Sequence, residues 1–529
     1  MFLRFFLGTL KGLFEIIFEF SEHKTNILTG KSVSEKTPRN FFLMRSVRFF
    51  LLVLFLPLLA GLIFSCRDDS FDPDPSITLS FSADSLLFDT VFTTVGSATR
   101  SFRVYNNHHK RVRVASISLG KGSDSFYRIN VDGRSGSHIQ DVEIGANDSI
   151  FVFVEVTVDP VNQNLPLTIT DSVVFNINNK VQDVKLVAWG QDAIFIHPNH
   201  VDPGSGIAYH LIAENTTWTS DLPYVIYGLA VVAPNRTLTV EPGARVHFHN
   251  NASLVFLSGA TLKVNGTAEF PVSFQGDRLE QFFQDKPGQW GRIWFTATSK
   301  DHDINYAVIK NGSVGLHVDS IGSTTEPTLR IRNTIIKNMS LVGLLAQGSN
   351  VVAQNTVIAN CGENILYLAL GGKYDFRHCT FANYYNLPST PLRQIPSVLF
   401  NNYYRDINGN IQQRDFESVY FGNSIIYGSL QEEFIFDLVP GSDFNYTFDH
   451  CLVRTQRDTF NPSFINIIKN QVPQFNNIGN QDYRLKSNSP AIGAGKASIA
   501  EQIPLDILGR NRVQRPDIGA YQYYEIEED

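Results

Sequence analysis

Cysteine, methionine and tryptophan are scarce in this sequence of 529 residues, which has four, three and four of them. It contains no CxxC pair and no Cys/His cluster with the spacing of a zinc site. Neither a disulfide framework nor a structural zinc site is therefore predicted. Cys361 and Cys379 lie in similar strand-like contexts, and we expect buried free thiols there. A Cys361–Cys379 bridge is the alternative.

Long helical patterns are hard to find after position 75. The chain has 41 Phe and 19 Tyr together with abundant Gly and Asn, a composition that favours many short strands and turns. Apolar residues make up 43% and charged residues 18%, which is typical of a folded protein. The predicted fold class is all-β, and the length suggests two or three domains.

Motifs that would assign a reaction are missing as well. No GxSxG and no Gly-His-Gly stretch occurs, and the one Asp-Asp pair, Asp68-Asp69, follows Cys66 closely. Asp301-His302-Asp303 is the densest polar group, and we interpret it as a solvated turn before a strand. The stretch from Asp406 to Glu417 faintly resembles a calcium loop, but Ile411 stands where that loop needs Gly. We therefore predict no catalytic residue, no cofactor and no metal site, and leave an enzymatic activity open.

One long apolar run lies near the N-terminus. From Met44 a basic segment, MRSVR, leads into FFLLVLFLPLLAGLIF and then Ser65-Cys66, the order of a secretory signal. The end of this run, Ile63 to Cys66, resembles the lipobox of bacterial lipoproteins. That resemblance implies cleavage before Cys66 and a diacylglycerol on its sulfur. A transmembrane anchor is the alternative, although a run of about 16 residues is short for a span.

The segments around this signal divide as follows. Residues 1–43 are predicted to be a mis-assigned start or a non-structural extension, 44–65 the signal peptide and 66–76 a tether. Arg67-Asp68-Asp69 resembles the export signal of Bacteroidetes-type surface lipoproteins. It implies an outer-membrane lipoprotein that faces the cell exterior, and a plain solvated tether is the alternative. Stable attachment to the membrane would come through N-terminal acyl chains.

The charge of the mature chain points away from nucleic acid. Residues 1–65 contain eight Lys/Arg and four Asp/Glu, so their removal leaves 36 basic and 47 acidic residues. A net charge of −11 does not suit binding to a polyanion. Nucleic acid is therefore not an expected partner.

Alternation with period two marks residues 77–192. Segments such as RSFRVYNN, RVRVASISLG and DSIFVFVEVTVDP predict six or seven short strands of a β-sandwich. The order Phe88-Asp89-Thr90, Gly96, Phe102 to Asn106 and Ile117 resembles immunoglobulin-like modules of the Hydin type. The resemblance implies an immunoglobulin-like sandwich that serves as a spacer or docking surface.

An internal repeat dominates residues 195–485. The segments YAVIKN, NTIIKN, NTVIAN, HCTFAN, NSIIYG and HCLVRT begin 27, 22, 23, 45 and 27 residues apart. A period in the twenties built from short strands predicts a right-handed parallel β-helix. Equivalent positions should form rows, namely Ile335, Val357, Thr380 and Ile425; Ile336, Ile358, Phe381 and Ile426; and, at one corner, Asn311, Asn338, Asn360 and Asn383.

A second motif lies in residues 486–529. SNSPAIGAG followed by DILGRNRVQRPDIGAYQY resembles the C-terminal motif of the β-helix proteins called choice-of-anchor Q. Gly493 and Gln522 stand where that family usually has Asp and Glu. The resemblance implies a cap that closes the β-helix and an association with surface proteins, and it defines no reaction.

The insertion between His378 and Asn423 holds the candidate ligand-binding residues. These are Tyr384, Tyr385, Tyr403, Tyr404 and Arg405. Aromatic faces stack on sugar rings, and neighbouring amides supply hydrogen bonds. The alternative is that these tyrosines pack the insertion onto the β-helix.

Taken together, the sequence predicts a lipid-anchored binding or scaffold protein whose β-helix contacts a glycan or another surface protein. One alternative is a polysaccharide lyase or glycoside hydrolase of the β-helix type. Another is an accessory lipoprotein subunit of an outer-membrane β-barrel complex. The expected partners are the membrane, through acyl chains, and a glycan or an outer-membrane protein.

Overall fold

A computed structural model of the chain describes residues 71–525, except residues 73, 93–95, 159–166, 179, 321–325 and 387–392. The signal peptide predicted at 44–65 and the lipid attachment at Cys66 lie outside the described residues. From Phe71 onward the chain forms one compact unit.

The fold is nearly all β, so the predicted class is confirmed. The described helices are α1 (Ala497–Ala500) and two short 3-10 turns, Gly122–Asp124 and Gln281–Phe283. None of these described helices has the length and apolar character needed to cross a membrane.

The first region, residues 80–191, consists of two five-stranded sheets that share one hydrophobic core. Buried residues alternate along the strands because successive side chains point to opposite faces. The strands are β1 (Ser80–Phe81), β2 (Ser85–Phe92), β3 (Arg100–Asn106), β4 (Val112–Leu119), β5 (Tyr127–Val131), β6 (Arg134–Gly136), β7 (His138–Ile144), β8 (Asp148–Val156), β9 (Leu167–Ile177) and β10 (Lys180–Gln191). The sheet orders are β1-β3-β8-β5-β6 and β2-β10-β9-β4-β7.

This region has more strands than the six or seven predicted. The missed strands are β5, β6 and β7, which lie between residues 121 and 147, where no alternating segment was recognised. β2 and β10 pair in parallel, with Leu86 opposite Leu186, whereas the other pairs in both sheets are antiparallel.

Two residues of the predicted tether contact this region. The Asp72 N–H donates to the Arg111 carbonyl at 2.9 Å, and the Arg113 guanidinium lies 4.2 Å from the Phe71 ring.

From Ile194 onward the chain winds into coils whose strands join one largely parallel sheet of 27 strands, a β-helix-like fold. Two antiparallel hairpins, β31–β32 and β40–β41, lie outside that sheet. The strands in chain order are β11 (Ile194–Ile196), β12 (His200–Val201), β13 (Ala208–Ile212), β14 (Thr216–Trp218), β15 (Tyr224–Val232), β16 (Thr237–Val240), β17 (Arg245–Phe256), β18 (Thr261–Asn265), β19 (Val272–Gly276), β20 (Ile293–Phe295), β21 (His302–Asn305), β22 (Ala307–Lys310), β23 (Val314–Asp319), β24 (Leu329–Arg332), β25 (Ile335–Met339), β26 (Val342–Gln354), β27 (Val357–Cys361), β28 (Leu366–Arg377), β29 (Thr380–Asn383), β30 (Val398–Asn401), β31 (Tyr403–Arg405), β32 (Ile411–Gln413), β33 (Phe416–Gly422), β34 (Ile425–Gly428), β35 (Phe434–Asp437), β36 (Phe444–Asp449), β37 (Leu452–Val453), β38 (Phe464–Ile465), β39 (Ile468–Lys469), β40 (Phe475–Asn477) and β41 (Asp482–Leu485).

The pairings divide each coil into three sides. Side A runs through β19, β22, β25, β27, β29, β34, β37 and β39. Side B runs through β20, β23, the first part of β26, the first part of β28, β30 and β35. Side C runs through β21, β24, the second parts of β26 and β28, β33, β36 and β38.

The rows predicted for side A are confirmed residue by residue. Ile335, Val357, Thr380 and Ile425 stand opposite one another on successive coils, and so do Ile336, Ile358, Phe381 and Ile426. The second row belongs to the interior core. The first row faces outward.

The C-terminal segment covers the outward row of side A. Val357, Ile425 and Leu452 form one cluster with Ile507 and Ile518. A flank of the β-helix is thus closed by residues of the 486–529 motif. The motif was predicted as a cap that closes the β-helix, and in the structure its Ile507 and Ile518 cover the outward row of side A.

Arg512 fixes this segment to the coils. Its side chain is 1% exposed and donates to Asn355 Oδ1 at 3.0 Å and to the carbonyl of Gly519 at 3.1 Å. Asn355 in turn donates to Asn333, and Asn333 donates to Asn305, each at 2.9 Å. The C-terminal motif therefore ends a ladder of amides that runs along the coils.

The corner asparagines act on the backbone, as predicted. Asn311, Asn338 and Asn360 have left-handed φ angles of 69°, 58° and 54°, which asparagine tolerates better than most residues. Asn383 Oδ1 accepts the N–H of Cys361 on the preceding coil at 3.2 Å.

Cys361 itself is a free, buried thiol, like Cys379 and Cys451. Burial raises the pKa of each thiol to about 12.

The interpretation of Asp301-His302-Asp303 as a solvated turn is wrong for His302. Its ring is 1% exposed and lies 3.9 Å from the ring of Phe295 inside the coils. Nδ1 accepts the N–H of Leu262 at 3.0 Å, which fixes the proton on Nε2 beside Ser299 Oγ. Burial lowers the pKa of His302 from 6.5 to about 3.

This buried neutral histidine predicts acid sensitivity. The unfolded chain binds a proton near the ordinary pKa of 6.5, whereas folded His302 stays neutral down to about 3. Its contribution to stability is therefore present above 6.5 and is lost as the pH falls toward 3, about 2 kcal/mol at about pH 5. In His302→Leu, the free energy of unfolding should depend less steeply on pH between 7 and 5. Denaturant melts at several pH values measure this slope, and a slope equal to wild type would contradict the assignment.

Candidate functional site

The five predicted ligand-binding residues do not come together. Tyr384 is half-buried against the hairpin β40–β41, its ring 6.3 Å from Phe475 and 6.4 Å from Tyr483. Burial raises the pKa of Tyr384. Tyr385 lies beside it at a cleft of about 330 Å³. For Tyr384 this packing agrees with the alternative prediction, that the tyrosines hold the insertion against the β-helix.

Tyr403, Tyr404 and Arg405 form β31, one arm of the hairpin β31–β32. Tyr403 Oη donates to Asp437 Oδ1 at 3.2 Å, whereas Arg405 donates to the Gly409 carbonyl at 3.2 Å. Tyr404 is exposed. Only Tyr403 is therefore connected to side B.

Asp406 closes the turn of this hairpin. Its Oδ1 accepts the N–H groups of Asn408 and Asn410, both at 2.9 Å, and Oδ2 accepts the Gln412 amide at 3.0 Å. These are the contacts of a turn. Within the described part of the chain, no group of three or more His, Cys, Asp or Glu is arranged to hold a metal ion.

The insertion is fixed to the coils by a buried ion pair. Arg393 and Glu433 have fully buried side chains and form a bidentate pair at 2.6 and 2.9 Å. Glu433 also accepts from the backbone and hydroxyl of Ser397, at 3.0 and 2.6 Å. The start of β30 is thereby held rigidly, which sets the position of side B.

A row of outward side chains runs along side B. We call it the side B row: Trp294, His317, Leu345, Tyr367, Leu399 and Ile435, each opposite the next on successive coils. None of the six belongs to a hydrophobic cluster of the described residues. At a strand spacing of about 4.8 Å, the row is about 24 Å long. It is a single file of aromatic and aliphatic groups, of which five are half-buried and His317 is buried.

A polar row lies two residues further along the same strands. It consists of Asp319, Gln347, Ala369, Asn401 and Asp437, again in register. Asn401 donates to Asp437 Oδ2 at 2.9 Å, and Tyr403 donates to the other oxygen. Carboxylates and amides thus border the apolar row on one edge.

Trp294 and His317 form a rigid platform at one end. Their rings stack at 5.4 Å with an interplanar angle of 4°. Trp294 Nε1 donates to Asp319 Oδ2 at 2.7 Å, and His317 Nε2 lies 2.8 Å from Asp319 Oδ1. Arg292 Nη1 donates to His317 Nδ1 at 3.1 Å. The imidazole is therefore assigned as the neutral tautomer with its proton on Nε2.

These contacts decide what the platform can do chemically. Burial alone would raise the pKa of Asp319, but hydrogen bonds from His317 and Trp294 and the charge of Arg292 outweigh it and lower the pKa. The carboxylate is therefore ionised at neutral pH. Because both nitrogens of His317 already have partners, its buried ring supports the Trp294 ring and offers no free base.

The polar row does not have the geometry of a glycosidase. Hydrolysis of a glycosidic bond by two carboxyl groups needs them about 5 to 9.5 Å apart. Asp319 and Asp437 are separated by four strand spacings, about 19 Å. The arrangement can stack and hydrogen-bond a ligand along its length.

Sequence reasoning missed the side B row because its segments share no motif. IWF, LHV, LLA, LYL, VLF and FIF have in common only a middle residue between two core residues. Once the side A repeats are aligned, these triplets fall at equivalent positions of successive coils. That alignment was the available signal.

Comparison with known proteins gives no family. No family model matches the chain, and no curated protein matches it. Among solved structures, the ASH / PapD-like domain 7 of human CEP192 is 12% identical, with a TM-score of 0.16, and the match covers 22% of this chain and 87% of that one. A family 123 glycoside hydrolase from Clostridium perfringens is 8% identical, with a TM-score of 0.18, over 27% of this chain and 30% of that one. Neither likeness carries an argument here.

Proposed function

We propose that this chain is a lipid-anchored outer-membrane protein, facing the cell exterior, that binds a linear glycan along the side B row. The observation that carries the proposal is the single file of Trp294, His317, Leu345, Tyr367, Leu399 and Ile435 beside a polar row. Sugar rings offer apolar faces to aromatic and aliphatic side chains and hydroxyls to amides and carboxylates. A single glycan chain therefore matches a surface that is a single file of side chains.

The proposal also assigns a role to the lipid attachment site and to the first region. Cys66 carries the acyl chains, and the two sheets of residues 80–191 are an immunoglobulin-like spacer. The coils wind to the right, the hand that parallel crossovers take in about 98% of cases. Binding without turnover is favoured because His317 has no free nitrogen and because about 19 Å separates the two carboxylates of the polar row.

Removal of one aromatic face from the row should weaken binding. In Tyr367→Ala or Trp294→Ala, affinity for the bound polysaccharide should fall about three- to tenfold, because one stacked ring contributes about 0.5–1.5 kcal/mol. Affinity electrophoresis in gels that contain neutral or uronate polysaccharides measures this change. Phe153→Ala is the matched control, since Phe153 is an exposed aromatic residue that lies in the first region. Equal losses in variants and control would contradict the proposed surface.

The same polysaccharides should be bound without being cleaved. We expect no rise in the absorbance of unsaturated sugars, the product of a lyase, and no new reducing ends, the product of a hydrolase. Turnover that copurifies with the wild-type chain and disappears in Asp319→Asn would favour the enzymatic alternative instead.

The anchor is tested separately from the ligand. Cys66→Ser should move the protein from the membrane fraction to the soluble fraction, because without acyl chains little else holds it at the bilayer. Protease added to intact cells should degrade the wild-type chain if it faces outward. Retention of Cys66→Ser in washed membranes would favour the transmembrane alternative.

A further inference from the structure

The last coil of the β-helix leaves side B open. β35 is the final strand on that side, because after β37 the chain crosses as a loop, residues 454–463, and then adds only β38 to side C and β39 to side A. The C-terminal segment lies on side A, and as far as residue 525 it includes no strand that would continue side B. A repeat protein needs a polar surface at each end to remain soluble alone.

The interior core therefore reaches the surface at this end. Phe376, Phe421, Phe448 and Phe464 are in register on side C, and Phe448 and Phe464 stack at 5.0 Å. Phe464 is the last ring and is only half-buried. With Phe436, Leu438, Phe444 and Tyr446 it lines a cleft of about 540 Å³. Arg457 and Asp458 line the same cleft, and the Arg457 guanidinium lies 4.1 Å from the Phe436 ring.

The loop that crosses this end also presents an apolar side chain. Phe460 is 95% exposed, three residues from Arg457. The loop around it is ordered by short-range bonds: Asp458 Oδ1 accepts the Phe460 N–H at 2.9 Å, and the Asp458 carbonyl accepts the Asn461 amide at 3.2 Å. A projecting phenyl ring is thus held beside a cleft that phenyl rings line.

We propose that two copies of the chain pair end to end about a two-fold axis, with Phe460 of each copy in the aromatic cleft of the other. Knob and cleft lie on the same surface, which is the condition for a self-complementary two-fold interface. The charges are self-complementary as well. Arg457 and Asp458 are adjacent, so a two-fold axis between the loops places each beside the opposite charge of the second copy.

Other occupants fit this end less well. β38 and β39 have two residues each, which gives an added strand of another protein little edge to pair with. Five of the seven side chains that line the cleft are aromatic or aliphatic, the others being Arg457 and Asp458, whereas a sugar needs several convergent hydrogen-bonding groups. The proposal does not depend on the glycan proposed for side B.

Sedimentation equilibrium of the full chain in density-matched non-ionic micelles tests the pairing. Wild type should have the mass of a dimer at micromolar concentration, and Phe460→Asp should raise the dissociation constant at least about tenfold. Phe282→Asp is the matched control, because Phe282 is also highly exposed but lies in the 3-10 turn that precedes β20, the first strand of side B. Equal melting temperatures of both variants would show that folding is intact.

A charge exchange sharpens the test. Arg457→Asp should weaken the dimer, and Arg457→Asp combined with Asp458→Arg should restore it in part. A wild-type chain that is monomeric throughout would overturn the proposal, as would a dimer that Phe460→Asp does not change. Species larger than a dimer that require Phe460 would replace the two-fold pairing by a head-to-tail contact and would overturn it too.

Discussion

Parallel, in-register hydrogen bonding between successive coils is the interaction on which the rest of this structure depends. Once the strands of one coil pair with those of the next, every side chain acquires a neighbour about 4.8 Å away along the axis. Inward rows become a continuous core, as Ile336, Ile358 and Phe381 show. Outward rows become continuous surfaces, and each must be solvated, covered or used for binding.

The outward rows of sides A and B differ in whether other parts of the chain cover them. Side A is covered at one end by the C-terminal segment, through Arg512 and the cluster around Ile425. Near its other end, Phe92 of the first region packs against His247 at 4.9 Å. The side B row has no such cover among the described residues, although it too is apolar. That contrast is what singles out side B as a binding surface.

The sequence was most informative where a short pattern recurs. The repeats beginning at Asn333, Asn355 and His378 predicted the register of side A without error. Local pattern could not say which outward row is covered, because the cover comes from far along the chain: Arg512 and Asn355 are 157 residues apart. His302 was misjudged for a related reason. Charged neighbours suggested a turn, but alternation sends the middle residue of Asp301-His302-Asp303 into the core.

The side B row could not be recognised in the sequence because its six residues differ in type and share no motif. The tyrosines predicted to bind a ligand are close together in sequence, yet Tyr384 packs on the hairpin β40–β41, whereas Tyr403 donates to Asp437 of side B. Trp294 and Ile435, at the two ends of the side B row, are far apart in sequence and share a surface only through the stacking of coils. On such a fold the residues of one binding surface come from different coils. A search along the sequence therefore finds single residues but not the row that they form.

Hydroxyl-radical footprinting of the side B row, with and without a bound polysaccharide, tests the central claim most directly. If a glycan lies along this surface, the oxidation rates of Trp294, Tyr367 and Leu399 should fall together on binding, while those of Phe151 and Phe153 in the first region stay constant. Protection confined to the first region, or unchanged rates along the row despite binding, would contradict the claim that side B is the binding surface.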